Sequence, residues 1–441
     1  MKNILIAAFL FLSSQSFIFA LDDDNNTANL ISARIALDYA VSDSVDNYGN
    51  LYIRYHSYLP SVMTFVYSDG SVTVCTSDNS AKITYVYEFS ADLEEKSLLS
   101  FNNELDSLGA FTKDSDGNYY FFYAFTASNN NSENMAVVKY NSNGDKLNTY
   151  KLIANAPNIF GGVRIPFDAG TCRLEISGSM LAVYFAREMF NGHQASYGFV
   201  LNKDNFTRID RGAATNAERT GSNTQMPYSS HSFNQFILPI DNGFIFADHG
   251  DAYPRSFTFA KFINGSNTRR VHAFTFPGSR GANPTYAEMG GLAKTSAGYI
   301  FSGAYGRLRE NPRNIFILTF DENMNACSNP VYLTNYSRNE GHAGHPKMVS
   351  MNDGRYFLLW ELFSYSTQAA NLLAGGRTGY LSTYALIIDE SGAAVSDIRE
   401  IKDIRLNMND VLRYNSHNGK VYWAVNDSSR SITVYAMDNT R

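Results

Sequence analysis

The sequence predicts an all-β fold in which one four-stranded antiparallel unit recurs seven times, and three observations lead there. An apolar strand, a tight turn ending in glycine and a second apolar strand repeat along the chain, marked by Gly70, Gly117, Gly178, Gly243, Gly298, Gly354 and Gly419. Gly after Asp or Asn is a hairpin signal, because such turns ask for positive φ. Helix-period stretches are missing, with Asp92 to Leu105 the one ambiguous segment. Finally, 441 residues with 44% hydrophobic, 14% aromatic and 18% charged side chains suit a large packed core, not a disordered chain.

Taken in chain order, residues 1–20 (MKNILIAAFLFLSSQSFIFA) combine Lys2, an apolar run from Ile4 to Leu12 and Ala20 as a cleavage position. That is the pattern of a secretory signal peptide, so a secreted or periplasmic protein with a single domain over 21–441 is expected. The run is too short to span a bilayer, and no later apolar stretch reaches the ~20 residues a span needs. The repeated strand pairs then occupy 62–76, 108–125, 172–186, 233–250, 290–305, 346–362 and 411–425. A second hairpin follows in each unit, clearest at 135–152, 315–333 and 384–401, so each repeat reads as strands a, b, c and d. The last unit offers three strands, at 411–416, 420–425 and 432–437, and no fourth. An open sheet edge invites aggregation, so LISARIAL (30–37) is expected to complete that unit from the N-terminal side. The alternative is an eighth, incomplete unit built on YGNLYIRYHS (48–57).

Seven such units describe a seven-bladed β-propeller, each blade packing its apolar faces on its neighbours. The chain resembles the β-propeller superfamily from residue 21 onward. Its c–d hairpins are similar to those of secreted bacterial propeller repeats, where an aliphatic strand leads into Asp-x-x-Gly. With only Trp360 and Trp423 present, the patterns of WD-repeat and quinoprotein propellers are not met, and no sialidase-type box occurs. The segments HSFNQF (231–236) and DHGDAYPR (248–255) resemble stretches of secreted bacterial proteins without an assigned function.

In a propeller the a–b and c–d turns share one face, and the b–c and d–a connections share the other. Here the first set is short and rich in Gly, Asn and Asp. The second set is long: 187–196, 249–256, 305–314 and 361–382 between b and c, and 154–171, 211–231, 277–290 and 335–346 between d and a. Long loops on a rigid scaffold are where binding and catalytic groups concentrate. Of eight histidines, His193, His231, His249, His342 and His345 fall in these connections. Glu288, Arg309, Glu361 and Arg377 lie among them too.

Three chemistries fit this set. Metal binding would use His193, His231, His249 and His345 with Gln194, Gln235 or Asp251, although no HxH or HExxH spacing supports it. Glycosidic bond cleavage would draw two carboxylates from Glu188, Asp251, Glu288 and Glu361. Recognition of an acidic or carbohydrate ligand would use Arg187, Arg255 and Arg307 as hydrogen-bonding forks, with Tyr197, Tyr253 and Tyr305 as stacking faces. The ligand-binding set expected is Arg187, Glu188, His193, His231, Gln235, His249, Asp251, Tyr253, Arg255 and Arg307. The third and fourth repeats should gather His193, His231, His249, Asp251 and Arg255 in one cleft. Within it Arg255 would meet an anionic or hydroxyl group, Tyr253 would stack, and His193 with His249 would hydrogen-bond or hold metal.

The expected function is therefore binding of a carbohydrate-like or small acidic ligand on the long-loop face. The alternatives are a metal-assisted polysaccharide lyase or glycoside hydrolase on that face, and protein–protein adhesion. A formal net charge of −6, from 36 basic and 42 acidic residues, gives no electrostatic footprint for nucleic acid. Nucleotide-binding glycine loops are absent, and the sequence assigns no catalytic residue, metal ligand or cofactor. Cys75, Cys172 and Cys327 read as three buried small hydrophobes, with one bridge between two of them left open.

Overall fold

The computed structural model describes residues 30–41, 59–156, 159–168, 170–210, 226–281, 285–306, 311–365, 379–407 and 410–438. Residues 1–20, the segment 48–57 and Arg307 lie outside the described residues, as does most of the connections 211–231 and 361–382. Every regular element among the described residues is a β-strand.

The first repeat shows the plan: Val62–Val66, Val72–Asp78, Ile83–Phe89 and Glu95–Asn102 pair antiparallel, each with the next. Middle strands are covered on both faces by neighbouring sheets, so Tyr119–Ala124 (YYFFYA) is buried at every position. Aromatic and β-branched residues suit such positions well. Outer strands keep one side in water, and Glu95–Asn102 is mostly half-buried or exposed. That is why its strand character was hard to read from Asp92 to Leu105.

Among the described residues, five sheets have four strands and the sixth has eight. The eight-stranded sheet holds the third and fourth repeats, whose ladders meet at one pair, Ala195 opposite Ser230. Seven repeats thus occupy six sheets. An apolar layer separates each repeat from the next, for example Phe122 and Val137 against Val183 and Phe199, and Phe357 and Leu359 against Val421 and Trp423. Equivalent layers fill the other five junctions. Each buried Phe, Leu or Val contributes roughly 1.5–3 kcal/mol to holding its layer together. The innermost strands touch in chain order, and Arg413–Asn415 returns to Val62–Val66, closing a β-propeller ring.

Closure follows the expected route. Leu30–Ala36 pairs antiparallel with Ser431–Asp438, running from Leu30 opposite Met437 to Ala36 opposite Ser431. Ala33 and Ile35 point into the layer shared with Val62, Val72 and Val74 of the first repeat.

The tight turns use glycine in two ways. Gly354 takes φ 80°, the left-handed region that glycine enters without strain. At Gly243 the left-handed residue is Asn242, with φ 58°. Gly243 is required there for space, since a Cβ would lie 1.9 Å from the Phe262 carbonyl oxygen.

The connections need correction. The 249–256 stretch is no long loop: strand Gly243–Tyr253 turns at Pro254 into strand Arg255–Ile263. Likewise His342 and His345 belong to the inner strand His342–Ser350. Polar residues there are buried strand positions, a state that residue type alone does not disclose. Cys75 and Cys172 are buried and unbridged, but Cys327 is exposed, against expectation.

Candidate functional site

The ladder between repeats three and four brings part of the expected set together. Ala195 pairs with Ser230, and Ser230 pairs with Tyr253, so three strands end at the same place. The rings of His193 and His231 lie 5.0 Å apart. His193 Nε2 is 2.7 Å from Ser230 Oγ, and His231 Nδ1 is 3.0 Å from Asp251 Oδ1. His231 sits at a register shift between Ser230 and Ser232 with φ 49°, a conformation that β-strand residues rarely adopt. Its side chain is 26% exposed while Asp251 is fully enclosed. Beside them, Tyr253 is 53% exposed, and the Arg280 guanidinium lies 5.1 Å from its ring.

The rest of the set is engaged inside the protein. Arg187 is buried, donates to the carbonyl oxygens of Gly162 and, at 2.7 Å, Phe160, and lies 5.1 Å from the Tyr197 ring. Burial pushes its guanidinium down to about 10. Glu188 pairs with Arg164 at 2.8 Å. Gln235 accepts from the Thr171 backbone N–H and hydroxyl, both at 2.9 Å, and donates to Ser232. His249 is enclosed by Phe233, Phe257 and Phe276 and meets Thr285 Oγ1 at 2.7 Å. Burial, aided by the Arg255 charge, holds its imidazole down to about 3. Arg255 donates to the carbonyl oxygens of Pro277 at 3.1 Å and Asp251 at 3.4 Å, and lies 3.8 Å from the Asp251 carboxylate. Arg187, Gln235, His249 and Arg255 thus make contacts of the kind that satisfy buried polar groups.

The carboxylates proposed for bond cleavage are engaged as well. Glu288 pairs with Arg313 at 3.1 Å and accepts from the His345 backbone N–H at 2.6 Å. Glu361 meets His345 Nδ1 and Arg405 Nε, the latter at 2.7 Å. Burial opposes its ionisation, but the charges of Arg405 and His345 outweigh it and hold the carboxyl down to about 2. Among the described residues no three His, Cys, Asp or Glu side chains converge as metal ligands.

Two cavities lie elsewhere. One, of 530 Å³, opens at the long-loop end of repeat five between Tyr305, Asn311, Asn314, Tyr332, Asn335 and Tyr336. Tyr332 is 49% exposed. The Tyr336 hydroxyl accepts from Trp360 Nε1 at 3.0 Å, and Asn314 Oδ1 accepts from the Thr334 hydroxyl at 3.0 Å. These contacts fix the cleft's back wall. The other cavity, of 620 Å³, lies on the ring axis at the short-turn end. Sequence reasoning missed both, apart from Tyr305. The available signal was the set of tyrosines at 305, 332 and 336.

Ring closure and the blade layers define a β-propeller. No family model matches the chain, and no curated protein matches it. Solved structures to which it is similar include a protein of unknown function from Dyadobacter fermentans, 8% identical, covering 81% of this chain and 98% of that one with a TM-score of 0.44. Another is an oligogalacturonate lyase in complex with manganese, 9% identical, covering 96% and 97%, with a TM-score of 0.47. A third is a member of the DUF4221 family from Bacteroides vulgatus, 10% identical, covering 96% and 98%, with a TM-score of 0.40.

Proposed function

We propose that the protein is an exported binding module that holds a carbohydrate on its long-loop face, in the cleft formed by Tyr305, Tyr332 and Tyr336. The observation that carries this reading is the cleft's composition: tyrosine rings and asparagine amides, with no charged side chain among its described lining residues. Sugars present apolar C–H faces, which aromatic rings cover, and hydroxyl groups, which amides serve as both donors and acceptors. A volume of 530 Å³ falls within the roughly 300–1,000 Å³ of small-molecule sites. Repeat four presents His231, Tyr253 and Arg280 at the same end, and an acidic group on the ligand would find its cation there. Lyase or hydrolase chemistry has less support, because Glu188, Asp251, Glu288 and Glu361 are each engaged by a neighbouring cationic or imidazole side chain. Export rests on residues 1–20.

Calorimetric titration with neutral oligosaccharides and with uronic-acid oligosaccharides tests the proposal. Tyr332→Ala should weaken saccharide binding about tenfold, the equivalent of ~1.4 kcal/mol, without lowering the melting temperature of so exposed a residue. Failure of every saccharide to bind, or full affinity in Tyr332→Ala, would overturn it.

A further inference from the structure

Two repeats carry the same pairing at the long-loop ends of their inner strands. In repeat four His231 stands at a register shift with φ 49°, and its Nδ1 lies 3.0 Å from Asp251 Oδ1 on the next strand. In repeat six His345 also stands at a register shift with φ 49°, and its Nδ1 meets Glu361 Oε2 on the next strand. Each carboxylate turns its other oxygen to an arginine: Asp251 Oδ2 lies 3.8 Å from Arg255 Nη1, and Glu361 Oε1 lies 2.7 Å from Arg405 Nε. Exposure separates the two. The His345 side chain is 1% exposed and that of His231 26%. His231 Nδ1 is itself closed to water, so the exposed part of the ring lies away from the carboxylate. The surface around it is built as well. Gly281 donates its backbone N–H to the Asp251 carbonyl oxygen at 3.1 Å, and a Cβ at that glycine would stand 3.5 Å from His231 Cε1. This segment therefore lies against the imidazole and brings the exposed Arg280 to the ring of Tyr253. Tyr253 in turn pairs with Ser230, the residue before His231. An imidazole, a guanidinium and an exposed aromatic ring thus share one patch.

We propose that His231 is a general base that activates water for hydrolysis of a small carboxylic ester, with Asp251 as its positioning residue, Arg280 facing the oxyanion and Tyr253 as the stacking surface. A buried carboxylate at Nδ1 keeps the ring's proton on that nitrogen, leaves Nε2 as the acceptor and stabilises the imidazolium that forms. Water adds to the ester carbonyl carbon while Nε2 takes its proton, and the carbonyl oxygen becomes an oxyanion beside the Arg280 guanidinium. The intermediate then collapses. Its C–O bond to the alcohol breaks, Nε2 returns the proton to the leaving oxygen, and the carboxylic acid and the alcohol depart. Glycosidic cleavage calls on the carboxyl groups themselves, whereas ester cleavage calls on the imidazole, and the engagement of Asp251 serves it. The left-handed backbone at His231 is the kind of strain that persists at working sites. Ser230, whose Oγ lies 2.7 Å from His193 Nε2, is the rival nucleophile, but it is fully buried. In repeat six the same pairing is enclosed and meets no substrate.

The probe is 4-nitrophenyl acetate, with release of 4-nitrophenolate followed on the full chain. His231→Asn removes the base and suits the backbone, because Asn enters the left-handed region more readily than most residues. It should lower kcat/KM by about a hundredfold or more at an unchanged melting temperature. Arg280→Met should lower it by about tenfold or more. Asp251→Asn should lower kcat and leave KM unchanged. If that variant fails to fold, His231→Asn and Arg280→Met still decide. Exposed imidazoles cleave this ester slowly by themselves, so His417→Asn, in an exposed turn on the opposite face, is the control and should leave the rate unchanged. Turnover should be slower in deuterium oxide and should begin without a burst, since no acyl-enzyme forms. A rate no greater than that of free imidazole at the same concentration, full activity in His231→Asn, or a stoichiometric burst lost in Ser230→Ala would overturn the proposal, whatever the saccharide result.

Discussion

His249 and His342 are enclosed deeply enough to stay neutral in the folded chain. Burial holds the first down to about 3 and the second, together with the Arg313 charge, to about 2. In the unfolded chain both titrate near ~6.5. The unfolded state therefore binds more protons between those limits, and stability is lost as pH falls below ~6.5. By pH 4 each histidine should remove on the order of 3 kcal/mol. Urea midpoints measured at pH 7 and pH 4 should show the loss, and His249→Phe should flatten part of the slope. An unchanged slope would mean that His249 protonates in place. The segment DHGDAYPR shows what a sequence conceals at this scale. Its His, Asp and Arg are the residue types of a binding loop, yet His249, Asp251 and Arg255 are buried on paired strands. Residue type reveals chemistry, whereas burial is decided by which strand covers which. His193, His231 and Tyr253 lie near one another because the strand connectivity, which repeats make legible, ends their three strands at one place.

At the scale of the element, the closing strand carries the most weight for its length. Leu30–Ala36 covers the edge of Ser431–Asp438, and Ile35 is 1% exposed. Ile35→Asp would place a carboxylate in the apolar layer with Val62 and Val72. We expect a destabilisation of ~3 kcal/mol or more, read as a drop in urea midpoint. Deletion of residues 21–38 should do at least as much, and a synthetic peptide spanning 28–38 should restore part of the loss when added to the truncated chain. A truncated protein that melts like the original would refute this role. Sequence alone predicted this strand from a shortage: the last repeat had three strands and an exposed edge is unfavourable. It did not foresee the shared ladder of repeats three and four, because Ala195 opposite Ser230 depends on how two blades lean together.

On the scale of the whole molecule, the ring leaves no terminal repeat to fray. In an open array the end units unfold first. Here the apolar layers are continuous around the circle, so thermal unfolding should be a single transition by both calorimetry and circular dichroism. Removing residues 21–38 should create two ends. Hydrogen exchange should then accelerate first in Ser431–Asp438, which loses its paired neighbour, and in Val72–Asp78 of the adjoining layer, and last in the opposite blades. Equal acceleration everywhere would contradict a closed ring held by neighbour contacts. The architecture was legible because turn glycines and apolar pairs recur whatever lies between them. The cavities were less so: the axial one is lined by inner strands from Phe65 to Tyr414, and the tyrosine cleft depends on how residues 305–336 of one repeat fold back on each other. One consequence of closure concerns time. The segment Leu30–Ala36 is synthesised almost a whole chain before its partner Ser431–Asp438, a delay of roughly 20–80 s at ~5–20 residues per second. Closure therefore waits until residues 431–438 have been made, and a chain cut short before them would leave Leu30–Ala36 without its partner. During that wait the only charge within the strand is Arg34, whose side chain is 63% exposed even in the finished ring, where it discourages the bare strand from sticking to others of its kind.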